Sequence, residues 1–440
     1  MPHQGGSLRR IALIGTALLL AACQRNPGKP SEEEVMAKAR ELAERYVIVD
    51  THIDVPYRLE EDWEDLTVRA ARGDFDYARA KEGGLDVAFM SIYTPSALET
   101  AGPGKAFAHA NRMIAHVMDL TARAPDKFML VTSPDEALKA HELGRIGLAM
   151  GMENGAPIEG DLKKLKYFYD KGIRYITLAH ARSNDLADSS YDENRPNGGL
   201  SDFGRQVVKE MNALGILVDV SHLSDEAVHD VLEVSAVPPI ASHSSARHFT
   251  PGFERNLSDK QIRAIARRGG VIMINFGSAF LTKAANDWNK AFDEAWKRHL
   301  EKDGAPDTPE ERKRFRASYL AEHPYPYATV EDVVRHINHI VGIAGVEHVG
   351  LGSDFDGVGD SLPVGLKDVS QYPNLVKALI EAGYSEPEIE MILGRNLLRV
   401  WRIAQNYAVN VKGMTEQEAE AAGGAGATTT PAQENAPTEP

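Results

Sequence analysis

The chain has 440 residues, of which 43% are hydrophobic and 26% charged; that apolar content supports a large packed core and excludes a disordered chain or a small stapled scaffold. A formal net charge of −15 argues against a general nucleic-acid binder, which needs a basic patch to neutralise phosphates. The single cysteine, Cys23, excludes an intrachain disulfide.

Arg9 and Arg10 precede an apolar run, Ile11 to Ala22, that ends in Leu20-Ala21-Ala22-Cys23. A basic start, a short apolar stretch and small residues before a cut site form a secretory signal. The run is too short to span a bilayer as a helix, so residues 1–22 are expected to be removed. Leu-Ala-Ala-Cys resembles the lipobox of bacterial lipoproteins, which implies that Cys23 is lipidated and holds the protein to a membrane. Gln24 stands where an Asp commonly retains such proteins in the inner membrane, so the expected location is the cell envelope, on the periplasmic face of the outer membrane. Residues 23–30 read as a tether. Ser31 and Glu34 form a capping box that opens a helix to about Arg45.

The chain then alternates strand-like and helix-like segments. Apolar, β-branched runs lie at Val47–Asp50, Leu85–Tyr93, Ile146–Met152, Ile173–Ala179, Ile216–Val220, Pro239–Ser242, Val271–Phe276 and His348–Ser353. They are nearly continuous, as strands buried on both faces are. Helical patterns fall between them, among them Asp202–Leu214, Asp225–Val234, Ser258–Arg268 and Val330–Ala344. This predicts an α/β fold, a TIM-like (β/α)8 barrel, with an open doubly wound sheet as runner-up. No phosphate-binding glycine motif follows a strand, which disfavours the open sheet. A ninth run, Phe128–Thr132, has no place in the eight-fold order. The barrel domain spans 31–412. Within it, a charged helical insertion at about 283–322 reads as a solvated segment, a lid or a contact in a homodimer. Residues 413–440 read as a disordered tail.

Chemistry-bearing residues end the strand-like runs. The first leads into Asp50-Thr51-His52-Ile53-Asp54, and His52 and Asp54, two apart, project from one face. Others end in Gly151-Met152-Glu153, Leu178-Ala179-His180, Val220-Ser221-His222, Ser242-His243-Ser244 and Ser353-Asp354-Phe355-Asp356. In a barrel these ends converge on one mouth. Imidazoles and carboxylates without thiols suit Zn²⁺ or a similar ion, and a bridging carboxylate allows two ions, suited to hydrolysis of an amide, ester or phosphoester. No Gly-x-Ser-x-Gly elbow offers a serine nucleophile.

These motifs, with Gly199-Leu200-Ser201-Asp202-Phe203-Gly204, Arg255-Asn256 and Asn396-Leu397-Leu398-Arg399-Val400, resemble in order and spacing the renal, or membrane, dipeptidase family of binuclear zinc peptidases. The resemblance runs from about residue 46 to 402. It implies two Zn²⁺ per chain, one held by His52 and Asp54, the other by His222 and His243, with Glu153 bridging. It also implies substrate contact from His180, a carboxylate-binding Arg255, and Asp354 as the proton shuttle. The implied reaction is hydrolysis of a dipeptide, L-D dipeptides included, by a metal-bridging hydroxide. Ala181-Arg182-Ser183-Asn184-Asp185 differs from the vertebrate members, in a region that contacts substrate. Two other readings remain: another metal-dependent amidohydrolase, such as a lactonase or phosphotriesterase-like enzyme, and an inactive lipid-anchored binding protein.

Overall fold

The computed structural model describes the backbone of residues 1, 2 and 30–423, with side chains as far as Val411. Cys23, nearly all of the signal segment and the tether through Lys29 lie outside the described residues, as does the tail from residue 424. Nine strands are present among them: β1 (Ile48–Ile53), β2 (Leu85–Tyr93), β3 (Phe128–Leu130), β4 (Ile146–Glu153), β5 (Ile173–Thr177), β6 (Leu217–Asp219), β7 (Ile240–Ala241), β8 (Val271–Ile274) and β9 (Val349–Leu351). All pairings are parallel. The order β2-β1-β9-β8-β7-β6-β5-β4 closes through a β2–β4 pairing. This is the eight-stranded TIM-like barrel.

The ninth run finds its place in the register. Phe128–Leu130 pairs with Ile146–Leu148, the first half of β4, whereas β5 pairs with Met150–Glu153, the second half. One flank of β4 thus carries two strands in series, and β3 sits below β5 rather than in the ring.

Side-chain alternation sorts the strand residues into two layers. Val49, Val87, Phe89, Tyr175, Val271 and Met273 share one buried cluster with Leu397, Val400 and Trp401 of the last helix. Trp401, fully buried, packs on Phe89 at 5.2 Å between ring centroids, so this helix plugs the barrel floor. The intervening residues, among them Ile48, Ala88, Met90, Leu148 and Met150, pack outward with the surrounding helices.

The helices at Asp202–Leu214, Asp225–Val234 and Val330–Ala344 have the bounds read from the pattern, and the capping boxes of Ser31 and Ser258 form. The insertion is two helices, Lys283–Asp303 and Pro309–Glu322, with an aromatic core of their own: Trp288 and Phe292 against Phe315, Tyr319 and Tyr325. The last helix, Asn396–Gly423, continues past the boundary at 412. Its Ala- and Glu-rich end, read by composition as tail, has high helix propensity.

Candidate metal centre

Six strand exits build one site. β1 carries His52 as its last residue but one, with Asp54 just beyond it leading into a short helix, Val55–Glu61. β4 ends at Glu153, and His180, His222, His243 and Asp354 follow β5, β6, β7 and β9 within a few residues. His222 and Asp354 hold positive φ of 68° and 66°. Left-handed backbone is costly for such residues, and it concentrates where surrounding structure over-determines a functional geometry.

Glu153 is the centre. Its Oε1 lies 3.0 Å from His222 Nε2, 3.2 Å from His243 Nε2 and 3.5 Å from His180 Nε2. Its Oε2 lies 3.5 Å from His52 Nε2, which is itself 3.4 Å from Asp54 Oδ2. The two oxygens of one carboxylate therefore face two separate donor groups. All the predicted metal-site residues are brought together, and Asp354 joins His52 and Asp54 in a group whose donor atoms lie within 4.8 Å of one another.

Two of the imidazoles are aimed by the layer behind them. Tyr175 Oη rises from the barrel core to His52 Nδ1 at 2.8 Å, and Ser242 Oγ meets His243 Nδ1 at 2.8 Å. Both contacts leave Nε2 facing the centre, as ligating imidazoles require. Two buried aspartates tie strand ends in pairs. Asp50 Oδ1 accepts the backbone N–H of His52 and of Ser353, both at 3.0 Å, and its other oxygen accepts the hydroxyl of Tyr372. Asp219 Oδ1 accepts the N–H of Ser221 at 3.0 Å and of Ser242 at 2.7 Å. So β1 is fastened to β9, and β6 to β7, beside the residues that do the chemistry.

The charges fit a cation site. Burial by itself raises the Glu153 carboxyl, but His52, His180, His222 and His243 outweigh it and hold it well below the ordinary carboxylate range. Burial, with Arg255 and a neighbouring imidazole, holds His222 and His243 well below the ordinary imidazole value, so both are neutral and able to donate lone pairs. His52 is pushed up: burial opposes it, and Tyr175, Glu153 and Asp54 prevail. Its buried Nε2 nonetheless has no hydrogen-bond partner, and His222 and His243 set their Nε2 atoms 2.9 Å apart. Imidazole nitrogens converging on carboxylates are the donor set of a divalent borderline ion.

A cavity of about 840 Å³ opens over the site, with Tyr57, Tyr93, His180, Tyr191 and Asp354 in its wall. Tyr93 packs edge-on against His180 at 4.8 Å. Asn275 Nδ2 donates to Asp354 Oδ2 at 2.7 Å. Burial, with Asp54 and Glu153, pushes Asp354 up to about 7 against the pull of His52 and Asn275, a value suited to moving protons near neutrality. Arg255 sits beside the donors, outside this cavity's wall. It is 2% exposed, donates to Ser244 Oγ at 2.7 Å and to the His243 carbonyl at 2.8 Å, and leaves its Nε unpartnered. It lines an adjoining cavity of about 890 Å³, shared with the first along Tyr191, Phe280 and Asn289. Asn286, Asn289 and Lys290 of the insertion line this second cavity, so the insertion stands at the mouth.

Sequence reasoning did not single out Tyr175, Ser242, Asp219, Asn275 or Tyr191. Asp219 alone left a signal, an acid inside an apolar run; the others act through partners distant in sequence.

Residues 36–414 match the model of the membrane dipeptidase family, peptidase family M19. The chain is 32% identical over 389 residues to an uncharacterized dipeptidase of Schizosaccharomyces pombe, covering 85% of each. Among solved structures it is similar to the probable dipeptidase PvdM from Pseudomonas aeruginosa, with a TM-score of 0.74 and 29% identity over 86% of this chain and 100% of that one. It is also similar to a metallo peptidase from Rhodobacter sphaeroides liganded with a phosphinate mimic of the dipeptide L-Ala-D-Ala, with a TM-score of 0.65 and 26% identity over 82% of this chain and 99% of that one. With its imidazoles and carboxylates gathered at the barrel mouth, the chain belongs to the membrane dipeptidase family, peptidase family M19, and is a metal-dependent peptide hydrolase.

Proposed function

We propose that the protein is a binuclear zinc dipeptidase that accepts L-D as well as L-L dipeptides. The observation that carries the two-ion reading is the division of labour within Glu153, whose Oε2 faces His52 and whose Oε1 faces His222 and His243. His52 and Asp54 would hold one ion, His222 and His243 the other, with Glu153 between them. Two zinc ions, when bound, supply Lewis-acid polarisation of the peptide carbonyl and make water acidic enough to attack at neutral pH.

The chain's own residues do the rest. Asp354, poised near neutrality and held by Asn275, takes the proton of the attacking water and returns it to the leaving amine. His180, partly exposed to the cavity, donates to the oxygen on which negative charge develops. Arg255 offers a buried guanidinium to the free carboxylate of the substrate, reached from the cavity it lines with Phe280 and Tyr191. The stereochemical breadth is supported by the L-Ala-D-Ala mimic bound to the Rhodobacter sphaeroides enzyme.

A panel of L-L and L-D dipeptides, run with zinc-loaded and chelator-treated protein, tests the reading. Turnover of both series, lost with the chelator and restored by zinc at two ions per chain, is expected. Hydrolysis of lactones or phosphotriesters in place of dipeptides would overturn it. We further propose that a lipidated Cys23 holds the enzyme at the periplasmic face of the outer membrane, on the strength of the lipobox.

A further inference from the structure

A second group of metal-type donors lies on the outside of the barrel. The segment after β7 makes a short turn, Arg247–Phe249, that carries His248. The His248 ring stacks on that of His339, in the helix Val330–Ala344, with centroids 4.4 Å apart and planes 24° apart. His339 Nε2 lies 2.8 Å from Oδ1 of Asp259, the first residue of the helix Asp259–Arg267. One donor atom from each of the three lies within 4.8 Å of the others. Phe249 packs edge-on to both rings, at 4.9 and 5.4 Å.

We propose that His248, His339 and Asp259 form an accessory site for a borderline divalent transition ion: Zn²⁺, Ni²⁺ or Cu²⁺. Two imidazoles and one carboxylate suit these ions and not Mg²⁺ or Ca²⁺, which take oxygen ligands. Donors on one such ion sit about 3–3.4 Å apart, given metal–nitrogen distances of about 2.0–2.1 Å. His339 and Asp259 already meet that spacing closely. His248 is exposed, and its donor atom, within 4.8 Å of the others, needs to approach by at most about 1.5 Å, within reach of a side-chain rotation. Arg335 lies over Phe249 and is bonded to Asp332, and Arg263 donates to the backbone carbonyl of Asp259 at 3.4 Å, so neither guanidinium is bonded to the three donor side chains. An isolated surface pair would need only His339 and Asp259. The stacked second imidazole comes from a different element and completes a three-donor face. The three ligands come from a turn and two helices, so an ion would cross-link them and brace the segment between His243 and Arg255.

The test uses the full-length enzyme loaded with two equivalents of zinc and titrated with Ni²⁺, followed by calorimetry and by elemental analysis of both metals. One additional Ni²⁺ per chain is expected, with the zinc retained and the thermal midpoint raised. His248→Ala and His339→Ala are expected to keep zinc and dipeptide turnover, which also reports that they fold, and to bind the extra ion at least about 100-fold more weakly. No extra ion in the wild type, or equal binding by both variants, would overturn the proposal. Because the readout is ion binding outside the barrel mouth, it stands apart from the reading of the active centre.

Discussion

Asp219 and Ser242 are joined twice: the Ser242 backbone N–H donates to Oδ1 at 2.7 Å, and its hydroxyl donates to Oδ2 at 2.6 Å. The same hydroxyl lies 2.8 Å from His243 Nδ1. With its proton committed to Asp219, the hydroxyl can only accept, so His243 carries its own proton on Nδ1 and presents a lone pair at Nε2. Thr177 adds a further hydroxyl to Oδ2 at 2.5 Å.

Asp219→Asn should therefore weaken zinc binding about 10–100-fold with the barrel intact, because an amide cannot accept all four hydrogen bonds. Competition against a chelator measures this. Unchanged affinity would make Asp219 a packing residue only.

Glu153→Gln should lose at least one zinc and nearly all turnover. A neutral amide is a poor bridge between two dications. Normal activity with two bound ions would sink the bridging role.

Asp354→Asn should keep both ions and lose about 10²–10⁴-fold in rate, the usual cost of a general acid–base group. The Asn275 contact can persist through the amide oxygen, so the local fold should survive. If metal content fell in step with activity, Asp354 would be a ligand instead.

The stability of the protein should carry a carboxylate signature from the Asp74–Asp356 pair beside the site cavity. Asp74 Oδ2 accepts the N–H of Asp356 at 2.8 Å, and Asp74 N–H donates to Asp356 Oδ1 at 2.7 Å. Burial, then the Asp356 charge, pushes Asp74 up to about 7. An unfolded Asp titrates at about 3.9, so the folded state keeps a proton that the unfolded chain releases. Stability from this group is whole below about pH 4, falls as the pH rises, and levels off above about 7. Asp74→Asn should thus gain relative to wild type between pH 5 and pH 8 in denaturant titrations. An equal difference at both values would rule the effect out.

Cys23→Ala should release the enzyme from the membrane, as uncleaved precursor or in soluble form, without loss of specific activity. Stable anchoring takes more than one lipid chain, which a multiply acylated Cys23 would provide. Fractionation with activity followed in each fraction is the measurement, and mature-sized enzyme in the membrane fraction would point to another anchor.

The sequence by itself determined the strands, their number around the barrel and the chemistry at their ends. Buried parallel strands must be continuously apolar, so a His or an acid at a strand exit such as Glu153 or His222 stands out against its run. The helix start at Ser31 was equally legible, because a capping box joins residues only three apart. Only the tertiary structure decided where Phe128–Leu130 goes, since strand pairing is set by partners distant in sequence and β4 is long enough to carry two on one flank. It also decided that Arg255 stacks over Phe280 in the wall of a second cavity, and that the insertion lines that cavity. The supports of the site, Tyr175 under His52 and Asp219 under Ser242, were hidden for the same physical reason: a hydrogen bond between side chains 123 or 23 residues apart leaves no periodicity, and only closure of the barrel brings the partners into reach.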